Sequence, residues 1–372
     1  MKSYNHLYED CLVEHNRQEA IKMARKSKRI RKIIKKRHLS DAALLDLSYE
    51  WITQFQNAFH TPIEIYDGIS RKVRHIIVPT LEELIVQHCV VNALRPIFTK
   101  GMYLHTYASI PGRGPHKAKK FIEKWLRDDP KNTKYVLKMD IRHFFDEVPH
   151  DILKSKLAKV IHDEKMLYLL DQIINVTDSG IPLGFYTSQW FSNWYLQELD
   201  HFIKEELHAV YYVRYMDDMV IFGPNKKVLH RMRLRIDSYL RSNLGLRLKD
   251  NWQVFRFAYE VQQPDGETVI RGRDLDFMGF RFYRDHTVLR RSVMYKASRK
   301  AARIAKKEGL TIHDARQMLS YLGYVDCTDT YNMYLKWIKP KVSFQKLKRK
   351  VSRFDKHNDL HIYLDLASLY TS

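Results

Sequence analysis

The 372-residue sequence predicts an α+β fold, with helices packed on one face of an antiparallel sheet. Three observations carry that reading. Apolar residues recur at three- and four-residue spacing over long stretches of the chain. Short β-rich runs cluster in the middle, and two of them flank an acidic pair. Strands and helices succeed one another as strand, helices, helix, hairpin, helix, strands, with no internal repeat or low-complexity linker between them. At 45% hydrophobic residues the chain can bury a substantial core, and its composition does not mark it as disordered. The length suggests two or three folding units.

The elements follow in order. Residues 6–59 read mostly as helix, with Leu44, Leu47, Trp51, Ile52 and Phe55 at helical spacing and Ser40-Asp41 as an N-cap. Thr61-Pro62 breaks the pattern. Ile63–Tyr66 and Val73–Val78 read as short strands about Asp67-Gly68, a hairpin signal. A helix runs from Leu81 to Phe98, Pro111-Gly112-Arg113-Gly114-Pro115 is a sharp loop, and Lys117–Arg127 is helical. Tyr135–Asp140 reads as a buried strand ending in an acid. Helices follow over Ile152–Ile161 and up to Ile174, then a turn-rich stretch, Gly180–Gly184, and an apolar helix from Ser192 to Leu207. The run from Ala209 to Phe222 reads as a hairpin with Asp217-Asp218 at its tip. A long helix, Lys226 to Leu244, ends at Gly245 as C-cap.

Charge narrows the class. The net charge of +21 is concentrated in two flanks. Residues 22–37 carry ten Lys/Arg and no acid; residues 290–356 carry 18 Lys/Arg against five acids, leaving a nearly neutral middle. A single basic run reads as a solvated helix face or an address tag. Two runs, the second interleaved with Tyr295, Tyr321, Tyr324, Tyr331, Tyr334, Trp337 and Phe344, favour a nucleic-acid partner over an anionic membrane surface. No apolar run approaches the ~18 residues of a membrane helix, and the N-terminus lacks a secretory apolar region. Three scattered cysteines argue against a disulfide scaffold and a Cys-type zinc site, and fit a reducing cytosol. His357 and His361 have the spacing of a helical zinc pair but no following Glu, and read as a solvated tail; His143 and His150 read as structural.

The chemistry lies in three acids. Asp140 follows Val136, Leu137 and Met139, and Asp217-Asp218 sit between Val213 and Val220. Unpaired carboxylates beside such apolar runs cost several kcal/mol, so if the three converge a cation must compensate. A pair of Mg²⁺ ions would, since Mg²⁺ takes one or two carboxylates plus phosphate oxygens and water. The alternative is an ordinary hairpin turn and a strand-terminating surface acid, and for a bare Asp-Asp that alternative stands.

The neighbourhood decides between them. Tyr215-Met216-Asp217-Asp218 resembles the Tyr-x-Asp-Asp signature of reverse transcriptases, and Lys138-Met-Asp140-Ile-Arg-His-Phe-Phe145-Asp146 resembles its companion motif. Arg74-His-Ile-Ile-Val-Pro79-Thr80 and Ile110-Pro-Gly-Arg113-Gly resemble two finger motifs, and Leu183-Gly184-Phe-Tyr-Thr-Ser188-Gln189 the template-gripping motif. Leu246-Arg-Leu-Lys249 and Phe277-Met-Gly279-Phe280 resemble later palm motifs, and Leu319–Tyr324 part of a thumb helix. These blocks, in the family's order over roughly residues 67–285, make a specific signal where each fragment alone is weak.

The resemblance implies a right-hand polymerase fold. Residues 1–66 would be a basic helical extension, 67–138 and 151–190 fingers, 139–150 and 191–289 palm, 290–356 a basic helical thumb and 357–372 a tail. It implies an RNA-templated DNA polymerase in which Asp140 and Asp217 coordinate two Mg²⁺ ions, with Asp218 beside them and the backbone carbonyl of Ile141 as a further ligand. Phe145 would lie beneath the sugar and exclude a 2′-hydroxyl; core filling beside Phe144 is its other reading. Arg74 and Arg113 would hold the incoming triphosphate, Lys249 would lie near it, and Leu183, Gly184 and Gln189 would grip the template. The aliphatic-Gly-x-x-x-Ser-Gln pattern resembles the reverse transcriptases of diversity-generating retroelements, bacterial or phage-encoded. That subtype implies error-prone copying of a template-repeat RNA into cDNA, with a small basic accessory oligomer. Template RNA, the cDNA or primer strand and dNTPs are the implied partners. A retron or phage-defence reverse transcriptase and a non-catalytic RNA-binding scaffold are the rival readings; the intact acids argue against the scaffold, because without metal their repulsion goes uncompensated.

Overall fold

The structure is a computed structural model that describes residues 4–67 and 72–357. Gly68, at the tip of the first hairpin, and the tail from residue 358, with His361, lie outside the described residues.

Four helices fill the N-terminal stretch: α1 (Leu7–Leu12), α2 (Glu14–Ala24), α3 (Lys28–Lys36) and α4 (Asp41–Thr53). Ser40 caps α4, its hydroxyl accepting from the Ala43 N–H at 3.1 Å. β1 (Ile63–Asp67) and β2 (Lys72–Ile76) pair antiparallel, with Ile65 opposite Arg74. α5 (Leu81–Thr99) opens on a capping box: Thr80 Oγ1 accepts from the Glu83 N–H, and the Glu83 carboxylate accepts from the Thr80 N–H. Ile85, Val86, Cys89, Val90, Leu94 and Phe98 of α5 are buried, so this helix is apolar nearly all round and sits in the core.

α6 (Pro115–Asp128), β3 (Tyr135–Asp140), α7 (Phe144–Glu147), α8 (His150–Ala158) and α9 (Glu164–Ile174) follow. The helix expected over Ile152–Ile161 starts at His150 and stops short of Ile161, which instead bridges Tyr4. The single helix expected from Ser192 to Leu207 is broken. α10 (Tyr186–Tyr195) begins earlier, α11 (Gln197–His201) continues it, and Phe202–Glu206 winds as a π-turn in which the Leu207 N–H reaches the Phe202 carbonyl at 3.0 Å. The early start has a distant cause: the Tyr186 N–H donates to Oε1 of Gln87 on α5, at 2.7 Å.

β4 (Tyr211–Tyr215), β5 (Asp218–Gly223) and α12 (Lys226–Leu244) follow as expected, except that the hairpin tip is Met216-Asp217 and Asp218 already opens β5; Gly245 takes the left-handed φ of +59° that a helix C-cap requires. β6 (Gln253–Arg256), β7 (Tyr259–Gln262), β8 (Thr268–Arg271), β9 (Leu275–Phe277), β10 (Phe280–Phe282) and β11 (Thr287–Leu289) precede four helices: α13 (Arg291–Ala305), α14 (Ile312–Asp326), α15 (Tyr331–Trp337) and α16 (Phe344–His357). The strands form sheets of order β1-β2, β4-β5-β3-β6, β7-β8 and β11-β10-β9.

The chain divides into two compact units. The first comprises residues up to Ser109, Lys138–Met219 and Arg231–Trp252; α2, α4 and α10 pack on its α5. The second comprises Ile110–Leu137, Val220–His230 and the residues from Gln253 on. Its core includes Phe257, Leu275, Phe277, Phe280, Phe282, Ala297, Met318 and Leu322. There Asp314 of α14 is held by Lys300 and Lys307 at 2.7 Å each, which ties α13 to α14. No helix of the described residues is long and apolar enough to cross a membrane.

Candidate active site

The β4–β5 hairpin turns on two residues, Met216 and Asp217. Met216 has φ +57°, a left-handed conformation that glycine ordinarily supplies, so the turn is held by its surroundings rather than by its own preference. Beside it, β3 delivers Asp140. The Ile141 N–H donates to the Asp217 carbonyl at 3.3 Å, which joins the end of β3 to the hairpin tip. On its other side the 140–142 segment pairs with residues 247–249. The Lys249 N–H donates to the Asp140 carbonyl (2.8 Å), the Arg142 N–H donates to the Arg247 carbonyl (2.9 Å), and Ile141 bridges Leu248 antiparallel. The backbone thus fixes Asp140 between Asp217 and Lys249.

The side chains are correspondingly tense. Burial, then the charges of Asp140 and Asp218, push the Asp217 carboxyl up from its ordinary range to about 7. Lys249 Nζ stands 2.5 Å from Asp140 Oδ2 and neutralises that oxygen. The other oxygen, Oδ1, is buried and has no hydrogen-bond partner. An orphaned carboxylate oxygen next to a second carboxylate that resists ionisation is a donor pair short of a cation. Among the described residues no three His, Cys, Asp or Glu side chains gather into a closed metal cage. Mg²⁺ does not need one, since it completes its shell with water and substrate phosphate oxygens, and the donor set here fits it.

The remaining expected residues fall as follows. Phe145 is half-buried on α7, edge-on to the buried Phe144 with ring centres 5.4 Å apart, so it is not wholly committed to the core. Its carbonyl accepts from the Ile181 N–H at 2.7 Å, and a Cβ on Gly180 would lie 2.3 Å from the same oxygen; the Gly180–Gly184 loop therefore lies directly on α7. The Leu183 carbonyl accepts from the Ile77 N–H at 2.8 Å, which places the loop against the end of the β1–β2 ribbon that carries the exposed Arg74. Gly184 is obligatory there, with φ +111° and space for a Cβ only 2.1 Å from the Ile77 carbonyl. Gln189 is exposed on α10, between the buried Ser188 and Trp190. Arg113 belongs to the second unit, where Ile110-Pro111-Gly112-Arg113 forms a turn with Gly112 at φ +69° and the Arg113 N–H donating to Ile110.

Sequence reasoning passed over Arg214. It is fully buried in β4 and reaches the hairpin tip. The signal was present: an arginine inside the apolar run Tyr-Tyr-Val-Arg-Tyr must have a buried partner.

Residues 62–282 match the family described as reverse transcriptase (RNA-dependent DNA polymerase). Among individual proteins, the chain is 24% identical over 305 residues to the retron Ec73 reverse transcriptase of Escherichia coli, covering 75% of this chain and 90% of that one. It is 24% identical to protein YkfC of E. coli K12, spanning 58% of that protein's length and 48% of its own. To the group II intron-encoded protein LtrA of Lactococcus lactis it is 27% identical, over 37% of this chain and 24% of that one. Among solved structures, telomerase from Candida tropicalis aligns with a TM-score of 0.46 at 12% identity, over 89% of this chain and 61% of that one.

Proposed function

The chain belongs to the reverse transcriptase family of RNA-directed DNA polymerases, and from that premise we propose that Asp140 and Asp217, with Asp218 beside them, are the carboxylates at which it extends a DNA strand. The observation that carries this reading is the buried, partnerless Oδ1 of Asp140 beside the raised Asp217 carboxyl. Mg²⁺, held there by both carboxylates and the Ile141 carbonyl, would supply Lewis-acid stabilisation of the attacking 3′-oxygen and the departing pyrophosphate. The protein's own part is positioning and electrostatics. Asp217 gives up its proton as positive charge arrives, and Asp140, paired with Lys249 through Oδ2, presents its Oδ1 to the cation. Phe145 lies beneath the sugar and excludes a 2′-hydroxyl. Arg74 and Lys249 hold the triphosphate, and Leu183, Gly184 and Gln189 hold the template. We assign the fingers, palm and thumb to the segments given by the sequence, with the extension and the thumb as the surfaces for RNA or a small basic accessory oligomer. Primer extension on an RNA template with purified chain, Mg²⁺ and dNTPs tests the proposal. Product that disappears in the Asp217→Ala/Asp218→Ala variant supports it, and product that persists removes it.

We further propose that the copying is error-prone, as in diversity-generating retroelements. Support comes from Leu183, whose side chain has no hydrogen-bonding group with which to fix a template base or nucleotide, so mispairs are rejected less firmly. Leu183→Gln is then expected to lower misincorporation opposite adenine, and an unchanged error spectrum removes the subtype. The similarity to a retron enzyme over 90% of that enzyme's length favours a second reading, a retron or defence role. Flanking DNA with a near-duplicate repeat differing at adenines supports the first; a structured noncoding RNA with an effector gene supports the second.

A further inference from the structure

The hairpin tip is held from within by one buried side chain. Arg214 and Asp200 are both fully buried, and Arg214 grips Asp200 with two parallel bonds, Nε to Oδ1 at 2.7 Å and Nη2 to Oδ2 at 2.6 Å. Asp200 is in turn fixed by the Tyr212 hydroxyl (2.7 Å) and the Thr106 hydroxyl (3.2 Å). Nη2 also donates to the Asn193 carbonyl (3.2 Å), and Nη1 to the Asn193 Oδ1 (3.4 Å). The remaining bond leaves this anchored cluster: Nη1 donates to the carbonyl of Met216 at 3.1 Å.

We propose that Arg214 is a positioning residue for the polymerase site, holding the Met216 carbonyl so that Asp217 is presented in its working orientation; this rests on the reading of Asp217 above. The Met216–Asp217 peptide is planar, so fixing the oxygen of Met216 fixes the direction in which the backbone enters Asp217. Met216 needs such a hold, because at φ +57° it lacks the glycine that would make the turn without strain. Stability alone does not call for this arrangement, since well-packed apolar residues commonly replace a buried ion pair without loss. What they cannot do is span from α11 to a turn carbonyl. A lysine cannot either: its ammonium is a point donor, whereas the guanidinium fork reaches Asp200 and Met216 together.

Two variants test this. Arg214→Lys keeps the charge facing Asp200 but loses the reach, and Arg214→Met with Asp200→Leu removes the buried pair altogether. Three quantities are read in each: single-nucleotide kcat and dNTP KM on an RNA template, the melting temperature, and the resonance of the Met216 methyl in protein labelled with ¹³C-methyl methionine. The expected result is a kcat lower by about ten- to hundredfold with KM within about twofold. The Met216 resonance shifts while those of the other methionines stay, and at least one variant keeps its cooperative melt. Wild-type kcat in a folded variant overturns the proposal, as does a lost kcat with the Met216 resonance in place. Loss of the folded state in both variants assigns Arg214 to stability and also overturns it. Asp217→Asn is the companion control. If it extends primers like the wild type, the reading of Asp217 fails and takes this proposal with it; if it is inactive while the Arg214 variants are fully active, the positioning role alone fails.

Discussion

Asp217→Asn is expected to separate stability from activity. The carboxyl rises from 3.8 in the unfolded chain to about 7 in the fold, because burial and two neighbouring carboxylates disfavour its charge. A raised carboxyl contributes its full stability below the unfolded value and loses it as pH rises through the folded one. At pH 8 the metal-free protein therefore bears a penalty. Raised from 3.8 to about 7, the carboxyl sets a ceiling of about 4 kcal/mol on that penalty. Asparagine has nearly the shape of the protonated acid and cannot ionise, so the variant escapes the penalty. Urea unfolding in EDTA should show wild type and variant matched near pH 4 and the variant more stable at pH 8, by about 2–4 kcal/mol. Added Mg²⁺ should stabilise the wild type at pH 8 and the variant much less, because a ligand that binds only the folded state raises its stability. Equal stability at both pH values, or a variant weaker at pH 8, would refute the view that these carboxylates repel one another for want of a cation.

Other expectations follow from single contacts. Lys249→Met removes the cation at Asp140 Oδ2 and should lower kcat on an RNA template by about tenfold or more; an unchanged kcat would show that the lysine has no part in the site. Gly184→Ala puts a methyl 2.1 Å from the Ile77 carbonyl at φ +111° and should cost about 2 kcal/mol or more, read as a lower melting temperature. Phe145→Ala should weaken discrimination against ribonucleotides by about ten- to hundredfold in kcat/KM, and unchanged discrimination would return Phe145 to the core. Asp314→Asn should destabilise the second unit at neutral pH. Lys300 and Lys307 hold that carboxyl well below its usual range, so its contribution is present above the unfolded value and fades as pH falls. Wild type and variant should therefore converge in strong acid.

What was legible in the sequence is what local chemistry decides. A buried apolar run ending in an acid located β3, an acidic pair between β-rich runs located the β4–β5 hairpin, and Gly245 marked the end of α12. Motif order, rather than periodicity, brought Asp140, Asp217 and Lys249 into one site, and the backbone bonds among residues 140–142, 217 and 247–249 join them. Illegible were the features whose cause lies far along the chain. α10 begins at Tyr186 because Gln87 accepts its first N–H, and no local signal at Tyr186 announces that. Arg214 finds Asp200 on another element, and the left-handed Met216 makes sense only once that clamp is visible. The loop at Gly180–Gly184 looked merely turn-rich; its glycines are required by the α7 and Ile77 carbonyls lying against them.

The central claim is that Asp140 and Asp217 jointly hold the divalent cation. A crystal of the enzyme with Mn²⁺ in place of Mg²⁺, its anomalous peaks mapped, tests this most directly. The account predicts a peak about 2.1–2.2 Å from Asp140 Oδ1 and within bonding reach of the Asp217 carboxylate. A peak bound elsewhere, with Asp140 Oδ1 still without a partner, would contradict it.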